Sequence, residues 1–228
     1  PQPKSGGSRN GSPNKKDYFM KTLLTVLSSL CCLMLAAATL EMGDGFRDHG
    51  VASPASQRRG VFAARDGEGR DVVLVWLMDV RGGYAILQID AETGKSVQVP
   101  IPFVNTWDSP YSSILATNNR LYSHFGCHFV EYDPVKREFT ACYETIPQMA
   151  MSMHEDGKGR IWGATFPQNG LMSFDPVKRE FKDYGSINQE NWMQYPRTLE
   201  SDASGKVYLG SGMTYGQIFI FDPATGKA

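Results

Sequence analysis

The heptapeptide DPVKREF stands twice in the chain, at Asp133–Phe139 and at Asp175–Phe181. Aligned on its aspartate, two looser copies join it, DAETGK at Asp90 and DPATGK at Asp222, and the four turns are spaced by 43, 42 and 47 residues. Each follows an alternating apolar run (YAILQID, HFVEYD, GLMSFD, QIFIFD), and the first three lead into a second run, KSVQVPI, EFTACYE and EFKDYG. Period-two alternation on both arms of a short polar turn is the pattern of a β-hairpin. A second turn series keeps step with the first. Gly69, Asn119, Gly159 and Gly205 share one aligned position, and Gly and Asn are the residues that tolerate the positive φ of a tight hairpin.

Two hairpins per repeat make a four-stranded antiparallel unit. One such sheet cannot bury both faces alone, so a repeat of about 40–50 residues predicts sheets stacked around an axis as β-propeller blades. The predicted fold is all-β, with blades at 61–100, 112–144, 149–185 and 196–228. The last has no outer strand, and 41–60, Gly-rich, charged and without alternation, is a poor candidate to supply one. The expectation is therefore about four blades of a propeller of about six to eight.

The pattern D-x-x-G-x-I-W…L-x-x-F-D-P, carried by Asp156, Gly159, Ile161, Trp162, Leu171, Phe174, Asp175 and Pro176, resembles a repeat of the streptogramin (virginiamycin B) lyase-like propellers. It is also similar to the two-component-regulator propeller repeats and, more loosely, to the regucalcin and gluconolactonase group. The resemblance covers 61–228 and consists of turn and packing residues, so it implies the fold; such families include lyases, lactonases, sensor ectodomains and plain binding modules. As an activity it implies a metal-assisted lyase or lactonase, with histidine and acid side chains around a divalent cation at the channel mouth. His154 does not match that arrangement and reads as a turn-exposed histidine.

Ahead of the repeats, residues 1–19 are polar and rich in Gly, Ser and Pro, the composition of a disordered or non-native extension. Met20-Lys21, the apolar run Leu23–Leu35 and Ala36-Ala37-Ala38 read as a signal peptide over 20–38, followed by a linker over 39–60. The expected compartment is secreted or periplasmic, with no stable membrane insertion once the signal is removed. A formal net charge of -1 offers no basic field for nucleic acid.

The two ends of a blade differ. The turns DAETGK, DPVKRE, DPVKRE and DPATGK are near copies, with Asp to cap and Pro to preset φ. The loops at the other end, MDVRGG, SHFGCHF, ATFPQNG and GSGMTYGQ, and the crossings between repeats, diverge in every unit. Variable loops on a repeated scaffold are where binding residues concentrate. Trp107, Tyr111, Asn169, Trp192, Tyr195, Arg197 and Tyr215 stand there, and aromatic faces mixed with amides suit a small polar ligand, carbohydrate foremost. For the two tryptophans, packing between blades is the competing role. The leading reading is an exported ligand-binding or sensing module; the metal-assisted lyase or lactonase and a protein-interaction scaffold are the alternatives. No catalytic residue is assignable, and G-x-x-x-x-G-K, G-x-S-x-G and H-E-x-x-H are absent.

His124 and His128 flank Cys127 in the second blade's loop, which raises a metal site, a divalent cation being the one cofactor in view. Cys127 could instead pair with Cys142 or stay free. With Tyr132 opposite Phe139, the residue opposite Cys142 is Phe129, so a bridge needs a twist or bulge. Finally, Arg137 and Arg179 stand where the other two turns place Gly94 and Gly226. If they adopt positive φ they carry strain, and Arg179→Gly is then expected to be neutral or mildly stabilising.

Overall fold

A computed structural model describes residues 40–48, 55–56, 60–78, 84–105, 108–145 and 148–228. The signal-like segment and Trp107 lie outside the described residues. The chain divides at Ala52 into two units. In the first, strands β1 (Leu40–Gly43) and β2 (Phe46–Asp48) form an antiparallel hairpin. The second holds β3 (Ala55–Ser56) and four successive antiparallel sheets, and it is a β-propeller assembly.

The first sheet is β4 (Val61–Arg65), β5 (Asp71–Leu77), β6 (Ala85–Asp90) and β7 (Ser96–Pro100). The second is β8 (Ser113–Leu115), β9 (Leu121–Phe125), β10 (His128–Asp133) and β11 (Glu138–Glu144). The third is β12 (Met149–Glu155), β13 (Ile161–Phe166), β14 (Gly170–Asp175) and β15 (Glu180–Ser186). The fourth has β16 (Tyr195–Ser201), β17 (Val207–Gly212) and β18 (Gln217–Phe221), with no fourth strand among the described residues. Part of the 41–60 stretch does form a strand, but elsewhere than the fourth sheet. β3 extends the inner edge of the second sheet, with Ala55 opposite Ile114.

Three seams hold the sheets together. Phe62, Leu74, Trp76 and Ile86 meet Leu121, Phe125 and Tyr132 at the first. Tyr122 and Phe129 meet Ile161, Met172 and Phe174 at the second. Trp162, Ala164 and Leu171 meet Leu199, Val207 and Phe221 at the third. Each Leu, Ile, Val, Met or Phe among them contributes about 1.5–3 kcal/mol by leaving water. One repeat position shows how the stacking proceeds. Ile86, Phe129 and Leu171 are at most 1% exposed beneath the next sheet, whereas Ile218, the fourth occupant, is 79% exposed.

The copied turns behave as their residues dictate. Gly69, Asn119, Gly159 and Gly205 all have positive φ, and so do Gly94, Arg137, Arg179 and Gly226. Asp133 and Asp175 each accept two backbone N–H groups through Oδ1. The arginines have a second role that overturns the expected neutrality of Arg179→Gly. Arg179 reaches back to the preceding sheet, where Nη1 lies 2.6 Å from Oε1 of Glu131, which is fully buried. Its Nη2 donates to the Thr140 carbonyl at 2.8 Å, and the guanidinium stands 5.0 Å from the Phe174 ring centre. Arg120 closes the cluster, 2.6 Å from Asp133 Oδ2 and 3.7 Å from Glu131. Strain at φ +59° is thus exchanged for a clamp between sheets.

The other turn series also ties neighbours. Arg65 and Asn119 exchange two hydrogen bonds, and Thr117 donates twice to Glu155. His154 belongs to this series rather than to solvent. Its Nε2 is 2.9 Å from Ser201 Oγ and its Nδ1 3.3 Å from Glu200, so it joins the third sheet to the fourth.

Candidate functional site at the variable-loop face

The position five residues before each inner-strand turn is held by Val61, Tyr111, Met151 and Arg197. In the third and fourth sheets this residue is a β-bulge. Ala150 and Ser152 pair with consecutive residues of β13, leaving Met151 unpaired, and Pro196 and Thr198 leave Arg197 unpaired in the same way. A bulge turns its side chain out of the regular alternation. Met151 is buried, while Arg197 is exposed and its Nη1 donates to the Tyr111 hydroxyl at 2.9 Å. Equivalent positions of the second and fourth repeats therefore meet. The Arg197 guanidinium lies 5.3 Å from the Tyr195 ring centre, and Tyr195 packs at 4.5 Å on Phe166 at the end of β13. Tyr111, Tyr195 and Arg197 thus form one cluster.

Trp192 and Tyr215 form a second, edge to face at 6.2 Å, with Tyr215 67% exposed. Close by in sequence, Glu190 Oε1 accepts from Asn188 Nδ2 at 3.3 Å and from Gln217 Nε2 at 3.1 Å. The Glu190 N–H in turn donates to Gln194 Oε1 at 3.3 Å. Asn169 is fully buried at positive φ, and its carbonyl accepts from the Ile187 N–H at 3.2 Å.

Beneath these loops, buried polar atoms lack hydrogen-bond partners: Asn105 Oδ1, His124 Nδ1, both side-chain atoms of Asn169, Gln194 Nε2, Ser211 Oγ and Gln217 Oε1. At the copied-turn end such atoms among the described residues belong only to Glu131 and Asp133, carboxylates already ion-paired to arginine. Buried polar groups without partners are costly and are ordinarily satisfied, by water or by a ligand where the protein does not do so.

Asp108 fixes the first crossing. Its two oxygens accept the N–H groups of Ser109 at 2.7 Å and Gly126 at 2.8 Å, and its carbonyl accepts from Asn105. Burial pushes the Asp108 carboxyl above its usual range. Gly126 has to be glycine on two counts: φ is +55°, and a Cβ there would meet Asn105 Oδ1 at 2.6 Å.

The two loop histidines are not brought together. His128 is the cross-strand partner of Phe125 and shares its face; His124, one residue earlier, takes the other. His124 is buried, with Nε2 2.7 Å from Thr145 Oγ1, and burial brings its pKa down to about 3. His128 donates from Nδ1 to the Gly126 carbonyl and stacks on Phe103 at 4.2 Å. Among the described residues no group of three His, Cys, Asp or Glu side chains stands close enough to hold a metal ion. Both thiols are free. A bulge between Glu131 and Tyr132 inserts Thr140 into the pairing, so Cys142 stands opposite Val130 rather than Phe129. Gln148, Gln194, Ser211 and Gln217 escape sequence reasoning, because an amide or hydroxyl carries no periodic signal of its burial. Aligning the repeats puts Tyr111 and Arg197 at equivalent positions but does not show that they meet.

No family model matches the chain, and no curated protein does. Solved structures do. Hydrazine synthase of Kuenenia stuttgartiensis aligns at TM-score 0.51 and 14% identity, over 82% of this chain and 51% of that one. The extracellular domain of the one-component system BT4673 from B. thetaiotaomicron aligns at 0.47 and 16%, over 72% and 21%. A streptogramin B lyase aligns at 0.44 and 13%, over 77% and 58%. These likenesses are of fold. The chain spans about half the length of the hydrazine synthase chain and less of the BT4673 domain.

Proposed function

We propose that the chain is the ligand-binding part of an exported propeller module, taking a polar ligand, carbohydrate foremost, on its variable-loop face. The observation that carries this reading is the contrast between the two ends of the sheets. Among the described residues, the buried polar atoms without hydrogen-bond partners at the copied turns belong to ion-paired carboxylates, while seven others lie beneath the diverging loops. A surface that holds amides and hydroxyls in place, with aromatic rings beside them, suits a hydroxylated ligand. The rings supply rigid area at low entropy cost, and the amides supply directed donors and acceptors. Export rests on the signal-like run from Met20 to Ala38.

The test is a double substitution, Trp192→Ala with Tyr195→Ala, screened on an array of neutral and charged oligosaccharides. The expected result is loss of binding, about 10-fold or more, with the melting temperature within a few degrees of the parent. Unfolding of the double variant would make both residues structural and remove the support for a binding face.

A further inference from the structure

Arg137 has the same left-handed backbone as Arg179, φ +58° against +59°, without the partner that Arg179 reaches. Arg179 meets the buried Glu131, which stands two residues ahead of its turn aspartate. One junction earlier that place belongs to Gln88. Gln88 is neutral and already bonded on both sides. Its Oε1 accepts from the Tyr132 hydroxyl at 2.8 Å, and its Nε2 donates to the Pro134 carbonyl at 3.1 Å. Arg137 is left with a single approach, 3.6 Å to Asp66 Oδ2, an oxygen that Arg70 holds at 2.7 Å. The last turn position changes too. In the second repeat it is Glu138, which pairs with Lys136 at 3.7 Å; in the first it is Lys95. Lys95 is exposed, and among the described residues no carboxylate pairs with it.

Arg137 and Lys95 line one cleft of about 410 Å³ between the first and second sheets, with Ser96 beside them. Its two acids, Asp66 and Asp90, are held within their own turns. Asp66 accepts the N–H groups of Glu68 and Arg70 and two bonds from the Arg70 guanidinium. Asp90 accepts the N–H groups of Glu92 and Thr93 and the Thr93 hydroxyl. Arg70 is engaged with both acids and with Glu68. Two cations therefore remain for a ligand in this cleft. Strain that the packing does not explain points to a function. A guanidinium fork binds two oxygens of an oxyanion and an ammonium adds a compact charge, so the pair suits a phosphate dianion. We infer that Arg137 and Lys95 bind a phosphate group, free or esterified, in this cleft. The site lies at the copied-turn end and is independent of the polar-ligand reading above.

Three probes test this by isothermal titration of the full 228-residue chain: inorganic phosphate, glucose 6-phosphate and glucose. Saturable binding of a phosphate probe and none of glucose at this cleft is expected. Tighter binding of inorganic phosphate marks a site for the free ion, and tighter binding of glucose 6-phosphate a site for an ester. Arg137→Gln and Lys95→Gln should each weaken the better probe about 10-fold or more. Arg137→Lys, which keeps the charge without the fork, should restore part of the loss. Lys158→Gln, at an exposed turn of the third repeat, should change nothing. If Arg137→Gln melts early, Lys95→Gln, whose side chain is exposed, carries the test. Failure of both phosphate probes overturns the inference. So does binding that survives both glutamine variants. An equal loss in Lys158→Gln also overturns it, because the effect would then be one of scattered surface charge.

Discussion

The two ends of these sheets handle buried polarity in opposite ways. At the copied turns a buried carboxylate is matched by arginines from its own and the following repeat, as Glu131 is by Arg120 and Arg179. At the variable loops Asn169 and Ser211 are buried without matching groups. The same backbone unit supports both, so the difference lies in the side chains. Repetition of the turns reflects their shared backbone geometry, with positive φ at Gly94, Arg137, Arg179 and Gly226, to which Arg137 and Arg179 add contacts with the preceding sheet. Divergence of the loops reflects freedom from that constraint, which leaves room for a ligand.

The largest expected effect would break the copied-turn half of this contrast. Arg179→Gly relieves positive φ, worth about 0.4–1 kcal/mol, but removes the nearer of the two arginines paired with a fully buried carboxylate. Breaking a buried ion pair costs about 3–5 kcal/mol, and Arg120 with the Thr140 hydroxyl retains part of that. The variant should lose about 2–3 kcal/mol in urea denaturation. Arg137→Gly, at the same turn position, should be close to neutral. Arg137 stands 3.6 Å from Asp66, whose carboxylate Arg70 already holds at 2.7 Å. Equal effects at the two sites would show that the clamp on Glu131 is not what the repeated arginine serves.

That pair of arginines also marks what a sequence can reveal. Turn residues act on their own backbone, so Asp caps and positive-φ positions are legible from local composition, and Arg179 at φ +59° was anticipated on that basis. Its bond to Glu131 joins residues 48 apart through the stacking of two sheets, and local composition holds no trace of it. The extra residue Thr140 is equally silent, and it moves the partner of Cys142 by one place. At the candidate site the loops could be identified by their divergence and the aromatic residues by type. The meeting of Tyr111 with Arg197 needed the bulge at Arg197, which alternation does not announce.

The next effect separates the ends by pH. Burial lowers the His124 pKa from 6.5 to about 3, with repulsion from His128 adding to it. Below pH 6.5 the unfolded chain binds a proton there that the folded chain refuses. Stability from this group is therefore complete above pH 6.5 and is lost as pH falls toward 3, by at most about 1.4 kcal/mol per pH unit. At the other turn series, that of Gly69 and Gly205, the sign is the same but the window lower. Hydrogen bonds, from Arg70 to Asp66 and from Ser204 and Tyr208 to Asp202, hold these carboxyls at about 2, below the ordinary 3.8, so their contribution is lost only as pH falls below about 4. Between pH 6.5 and 5, His124→Gln should flatten the dependence of the urea midpoint on pH. An unchanged slope would mean that His124 is protonated in the folded protein and has a partner at Nδ1.

The smallest effect tests the variable face most directly. Ser211 Oγ is buried without a partner, so folding strips it of water and returns nothing. Ser211→Ala should leave stability unchanged or raise it by up to about 0.5 kcal/mol. Ser152, equally buried, donates to the Pro196 carbonyl at 2.8 Å, and Ser152→Ala should cost about 1 kcal/mol. The two substitutions delete the same atom from the same kind of strand, so their difference reads the value of the partner. If Ser211→Ala costs as much as Ser152→Ala, an ordered water already satisfies the hydroxyl. The polar layer under the loops would then be a structural water site, and the contrast between the two ends would narrow to their sequences.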